Sequence, residues 1–120
     1  MKRPQFVINF VIIDQGPAIK VKIGEGIGYL LLDTCNKHNF LSTSFFEQYG
    51  NENVVVPCEE SEVGKTLCDL TIRDYKFRVP MLIKQLDAPD IIGILGRKFL
   101  SRWKMIIDFD AEMLYSYYTE

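Results

Sequence analysis

The chain has 120 residues and carries 14 basic against 16 acidic side chains, a formal charge of −2 at pH 7. That length suits one domain over 1–120, and 48% apolar with 25% charged residues is the composition of a globular fold, which excludes disordered, collagen-like and coiled-coil chains. With no basic excess a nucleic-acid partner is not expected, and with no apolar run of about 18–20 residues neither is a membrane span.

Short β-branched and aromatic runs, bounded by Gly, Pro, Asp and Asn, dominate the pattern. Residues 6–13 are the first such run. Lys2 and Arg3 ahead of it resemble the start of a secretory signal, but Asn9 interrupts the run, Asp14 ends it and no A-x-A site follows. The run is therefore read as a buried strand, closed by a turn at Asp14-Gln15-Gly16-Pro17. Residues 18–23 alternate Ile19, Val21 and Ile23 with Lys20 and Lys22, a strand with one buried face. After Gly24-Glu25-Gly26 comes a strand over 27–33, where Leu30-Leu31-Leu32 is apolar on both faces, as an interior strand would be.

A helix is expected over 42–49, capped by Ser42 or Thr43 and stopped at Gly50. Strands are expected over 53–57, 63–73 and 75–84, with Pro80 interrupting the last ladder so that its donor side is free or bulged. Residues 91–95 form another short strand, and 96–103 a helix placing Phe99, Leu100 and Trp103 on one face. A hairpin over 105–109 and 113–118 completes the set. About nine strands and two small helices predict an all-β fold, a closed or partly closed barrel.

Two segments carry the candidate chemistry. Asp33-Thr34-Cys35-Asn36 follows the apolar Leu30-Leu31-Leu32, which places an acid at the edge of the core. Some sixty residues later, Ile94-Leu95-Gly96-Arg97-Lys98-Phe99-Leu100 is an apolar strand that stops at a glycine and enters a helix, followed by Ile106-Ile107-Asp108-Phe109. In this order and separation, from about Ala18 to Tyr117, the two segments resemble the retropepsin-like aspartic protease family.

The resemblance implies a retropepsin-like barrel and a peptidase with two aspartates facing each other across a twofold axis. Carboxylates that close share one proton: one activates water and the other protonates the developing oxyanion. Only one such triplet is present, so the resemblance implies a homodimer with Asp33 from each subunit, Thr34 bracing the two loops, and a polypeptide substrate. It implies a short helix after Gly96 that buries Phe99, Leu100 and Trp103 beneath the Asp33 loop, and no cofactor and no metal. Residues 53–67 fall where the family carries a flap, which makes Val55 and Val56, with Asn36 and Gly96, the expected binding residues. The third triplet position departs from the family: Cys35 stands where glycine is usual, and a Cβ there crowds both dyad and substrate. Lys37 stands where retroviral enzymes carry an acid that pairs with the arginine after the second glycine, here Arg97. The alternative function is a non-catalytic peptide-binding or dimerisation domain inactivated by Cys35.

The remaining features carry plainer expectations. Cys35, Cys58 and Cys68 are an odd number with no C-x-x-C pair, which speaks against a disulfide framework, for a reducing compartment and so for a cytoplasmic location. Cysteine–histidine catalysis by Cys35 and His38 lacks an orienting third group, and a zinc site lacks close cysteine pairs. His38 is expected on a surface loop, Cys68 in the core, and Glu59, Glu60 and Glu62 in a solvated turn. Tyr115, Tyr117 and Tyr118 are expected in the core or on a dimer surface.

Overall fold

The computed structural model describes residues 6–50 and 54–117. In chain order its strands are β1 (Phe6–Asn9), β2 (Val11–Ile13), β3 (Gly16–Ile23), β4 (Gly26–Leu32) and β5 (Phe40–Ser42). They continue as β6 (Val55–Cys58), β7 (Ser61–Ile72), β8 (Tyr75–Lys84), β9 (Gly93–Leu95), β10 (Ile106–Asp108) and β11 (Met113–Ser116). One helix, α1 (Thr43–Phe45), passes into a π-helical turn over Phe46–Gly50; the other is α2 (Arg97–Arg102).

Period-two alternation builds the long strands and closes them into a ring. Ile19, Val21 and Ile23 of β3 point inward, as do Cys68, Leu70 and Ile72 of β7 and Phe77, Val79 and Met81 of β8. The order β3-β4-β9-β5-β8-β7 is continuous, and β7 returns to β3 through Lys22↔Thr71 and Ile23↔Leu70. Closure leaves the ring without an open edge where hydrophobic faces meet. β2 takes the rest of the β3 edge and β6 extends β7 outward, while β1, β11 and β10 form a separate three-stranded sheet. The fold is mostly β, as the sequence predicts, with eleven strands among the described residues rather than about nine.

The run over 6–13 is not one strand. It changes partner at Phe10: β1 pairs with β11, and β2 with β3. Phe10 is buried at the switch and donates its N–H to Glu112 O at 3.0 Å. Pro80 has the free donor side expected of it, with no bulge, and β7 and β8 pair without a break from Gly64↔Ile83 to Ile72↔Tyr75. Leu82 gives its N–H to Asn39 O, on the β5 side, and Pro80, two residues earlier, turns its nitrogen the same way. The missing donor therefore falls beyond the start of β5, where no ladder bond is required.

The strand over 91–95 shortens to β9, since Ile92 instead bonds Tyr29 O and Ser42 N–H through its own backbone. Of the helix over 42–49, only the first turn is α; Ser42 caps it by accepting the Phe45 N–H at 3.1 Å. Asn53 and Tyr118, read as strand termini, lie outside the described residues.

Aromatic packing joins α2 to the ring. Phe77 of β8 meets Phe99 with ring centroids 5.4 Å apart, Trp103 at 5.1 Å and Phe6 at 5.0 Å. Phe99 is buried and Trp103 half-buried. Truncating Phe77 or Phe99 to alanine should lower unfolding free energy by about 3–5 kcal/mol. Denaturation followed by fluorescence of Trp103, the single tryptophan, measures this; an unmoved midpoint would mean that this cluster does not anchor α2.

Candidate active site

Asp33 stands one residue past β4, where the strand lies parallel to β9 with Leu32 opposite Leu95. Its N–H extends that pairing by donating to Leu95 O at 3.0 Å. The chain then turns sharply, Asn36 N–H reaching Asp33 O at 3.3 Å. Both carboxylate oxygens of Asp33 accept from this turn: Oδ1 from the Cys35 N–H at 2.9 Å, Oδ2 from Asn36 Nδ2 at 2.6 Å. Aspartate commonly folds its own loop this way. Asp33 is half-buried at the rim of the ring, and Thr34 and Cys35 are exposed beyond it.

The start of α2 supports the loop from below. Arg97 and Lys98 donate their N–H groups to Asn36 O and Lys37 O at 2.8 and 3.0 Å, so the loop supplies the cap that Gly96 has no side chain to give. A Cβ on Gly96 would lie 2.6 Å from Asn36 O and closer still to His38 O, so only glycine lets these backbones pass. Asn39, buried, ties the layers together: Oδ1 accepts the Gly96 N–H at 2.9 Å, and Nδ2 donates to Pro80 O at 3.2 Å.

Two surfaces flank the loop. On one side an open groove of about 670 Å³ is lined by Thr34, Arg97, Leu100, Met105, Ile107 and Phe109, with Phe109 61% exposed. On the other, the β6–β7 hairpin turns at Glu59-Glu60, and Glu60 shares a small cavity with His38, Asn39 and Lys98. His38 is half-buried; its pKa is lowered first by lost hydration and then by the Lys98 charge, against an opposing pull from Glu60.

No protein-family model and no curated protein matches the chain. Solved structures do. The retroviral protease-like domain of Ddi1 from Leishmania major superposes with a TM-score of 0.67 at 14% identity, over 86% of this chain and 91% of that one. A retropepsin-like aspartic protease from Rickettsia conorii gives 0.66 at 17% identity, over 92% and 91%. EIAV protease, complexed with the inhibitor HBY-793, gives 0.52 at 19% identity, over 77% and 91%. The fold is retropepsin-like.

Within this retropepsin-like fold Asp33, Thr34, Cys35 and Asn36 share one short loop, and Gly96 lies directly beneath it. Val55 and Val56 sit apart from that loop, on the β6–β7 hairpin, opposite Thr66 and Lys65. The helix expectation needs correction: the N-terminal end of α2 underlies the Asp33 loop, whereas Phe99 and Trp103 turn away to Phe77. Leu100 alone of that trio lines the groove with Thr34. Sequence reading missed Asn39, whose only signal was a polar residue directly before the apolar pair Phe40-Leu41 and three positions after Asn36.

Among the described residues no group of three His, Cys, Asp or Glu side chains is placed to hold a metal, and no helix is long and apolar enough to cross a membrane. The three thiols are free and differ sharply. Cys35 is exposed, whereas desolvation, reinforced by the Asp69 charge, pushes buried Cys68 up to about 11.

Gly96→Ala forces backbone apart and should cost about 1–3 kcal/mol, and Asn39→Leu, by orphaning the Gly96 N–H, a similar amount; both are read as shifts in the denaturation midpoint. Iodoacetamide at neutral pH should modify Cys35 in the native protein and reach Cys68 only on unfolding, as mass spectrometry of the digested protein would show. Because the Cys68 pKa is raised in the folded state, its protonated form contributes stability that is complete below pH 9.0 and lost as pH rises toward about 11. Cys68→Ala should flatten that alkaline loss.

Proposed function

We propose that this chain is one half of an aspartic peptidase, active as a homodimer in which each subunit contributes Asp33. The observation that carries the reading is the Asp33 loop: a carboxylate at the end of a central strand, seated on Gly96 at the start of α2, with exposed Thr34 beside it. The retropepsin-like fold supports it, since one of the similar structures is a retropepsin-like aspartic protease and another is a protease complexed with an inhibitor.

The groove at Thr34 supports self-association. Phe109 exposes apolar surface there, and a twofold pairing through this face would cover it while bringing the two Asp33 loops together. Two carboxylates brought that close hold one proton between them. The ionised one takes a proton from water, which attacks the scissile carbonyl; the protonated one donates to the oxyanion. The β6–β7 hairpin, turning at Glu59-Glu60 above His38, would cover an extended peptide, with Val55 and Val56 on its stem.

A second reading has its own observation. Both Asp33 oxygens already accept hydrogen bonds inside their own loop, from the Cys35 N–H and Asn36 Nδ2, as a purely turn-forming aspartate would. Cys35 also adds bulk where the loops of two subunits would meet. On this reading the protein is a non-catalytic retropepsin-like domain that dimerises or binds peptide without cleaving it.

Hydrolysis of an unfolded protein substrate by wild type, Cys35→Gly and Cys35→Gly/Asp33→Asn separates the two. Weak wild-type cleavage, raised by glycine and abolished by asparagine, is the expected result. Strong wild-type cleavage that glycine does not improve would refute the steric argument, and silence from all three would establish the non-catalytic reading. Sedimentation should give a dimer at micromolar concentration that Phe109→Asp dissociates. A single 13.9 kDa species throughout would remove the shared dyad.

A further inference from the structure

A second concave surface lies between β8 and α2, away from Thr34. It is a groove of about 470 Å³ in which Lys76 and Arg78 form one wall, Lys98 and Arg102 the other, and Pro80 and Trp103 part of the floor. Secondary structure sets the spacing of the cations. Lys76 and Arg78 are two apart on a strand, so they share its outer face about 7 Å apart. Lys98 and Arg102 are four apart on a helix and lie about 6 Å apart on one side. All four are exposed, and no carboxylate lines the groove among the described residues.

This clustering stands out in a chain whose net charge is −2. We propose that the groove docks an extended acidic polypeptide segment with an apolar side chain between its carboxylates. Two facing rows of cations match carboxylates on alternate sides of an extended peptide, and the exposed Pro80 ring between them accepts the apolar residue. Arg78 pairs with Asp69 at 3.0 Å, but both side chains are mostly exposed, where water screens the pair and leaves it weak. An incoming carboxylate therefore displaces it at little cost.

Nucleic acid fits the groove less well. The Arg102 guanidinium covers the Trp103 ring at 4.6 Å, so a base would have to displace that cation to stack there. A single phosphate fits poorly too, because the cations are spread along the groove instead of converging on one point. Asn39, Pro80 and Lys98 also line the small cavity beneath Glu60, so the groove leads toward His38 and the end of the Asp33 loop. The proposal does not rest on peptide hydrolysis.

The test is fluorescence anisotropy of a fluorescein-labelled peptide of alternating aspartate and leucine, titrated with Asp33→Asn protein so that cleavage cannot intervene. Saturable binding is expected, weakening as salt rises and falling at least about tenfold in Lys76→Glu/Lys98→Glu. The milder Lys76→Ala/Lys98→Ala pair should show the same direction if the charge-reversed protein folds poorly. Lys20→Glu, on the outer face of β3, should leave binding unchanged. No binding, equal binding to folded groove variants, equal binding of a lysine–leucine peptide, or full competition by single-stranded oligonucleotide or inorganic phosphate would each overturn the proposal.

Discussion

At Gly96 the chain leaving β9 passes beneath the carbonyls of Asn36 and His38 at a separation that excludes even a methyl group. Three features depend on that approach. It lets the loop carbonyls cap α2, it brings the Gly96 N–H to Asn39, and it fixes where the loop after β4 can go. The Asp33 carboxylate inherits its position from a backbone contact two layers below it. Moving the loop without disturbing the core is therefore difficult, since Asn39 ties the same contact to β8 through Pro80 O.

The long strands were legible because alternation runs through most of each: Ile19–Ile23, Gly64–Leu70 and Phe77–Met81 bury every second residue. Asp33 and Gly96 were legible because each sits at the end of an apolar strand, and together they gave the family resemblance. Other features left no periodic trace. The partner change at Phe10 leaves the apolar run unbroken, so the sequence shows one strand where the structure has two. Pro80 read as either a free donor side or a bulge, because a sequence does not say on which side of the strand its missing donor falls. Phe99 and Trp103 point to one side, as the spacing implies, but their partner Phe77 lies in a distant strand, so the side they face was not legible. Asn39 was invisible as a cap because its two partners, Gly96 and Pro80, are tens of residues away.

The two sides of the Asp33 loop differ in character. Toward Thr34 the surface is broad and apolar, with Phe109 and Leu100 in it; toward His38 it is narrow and charged, with Glu60 and Lys98 close by. The first is suited to burial against a large partner surface, the second to selecting which chains come near. Both are anchored to α2, so its short length and firm seating on Phe77 hold them in a fixed relation to each other.

The three-stranded sheet has a kinetic consequence. The β7–β8 hairpin pairs neighbours in sequence, whereas β1 joins β11 from the opposite end of the described chain, with Phe6 beside Ser116. Loop-closure entropy delays such distant pairing during folding, so the hairpin is positioned to form early and the β1–β11 seam to zip last. Native-state opening tends to release such late, weakly cross-linked units first. Amide exchange would then run fastest along that seam, and its opening would uncover the Phe6 edge of the Phe77 cluster while the closed ring that carries Asp33 stays intact.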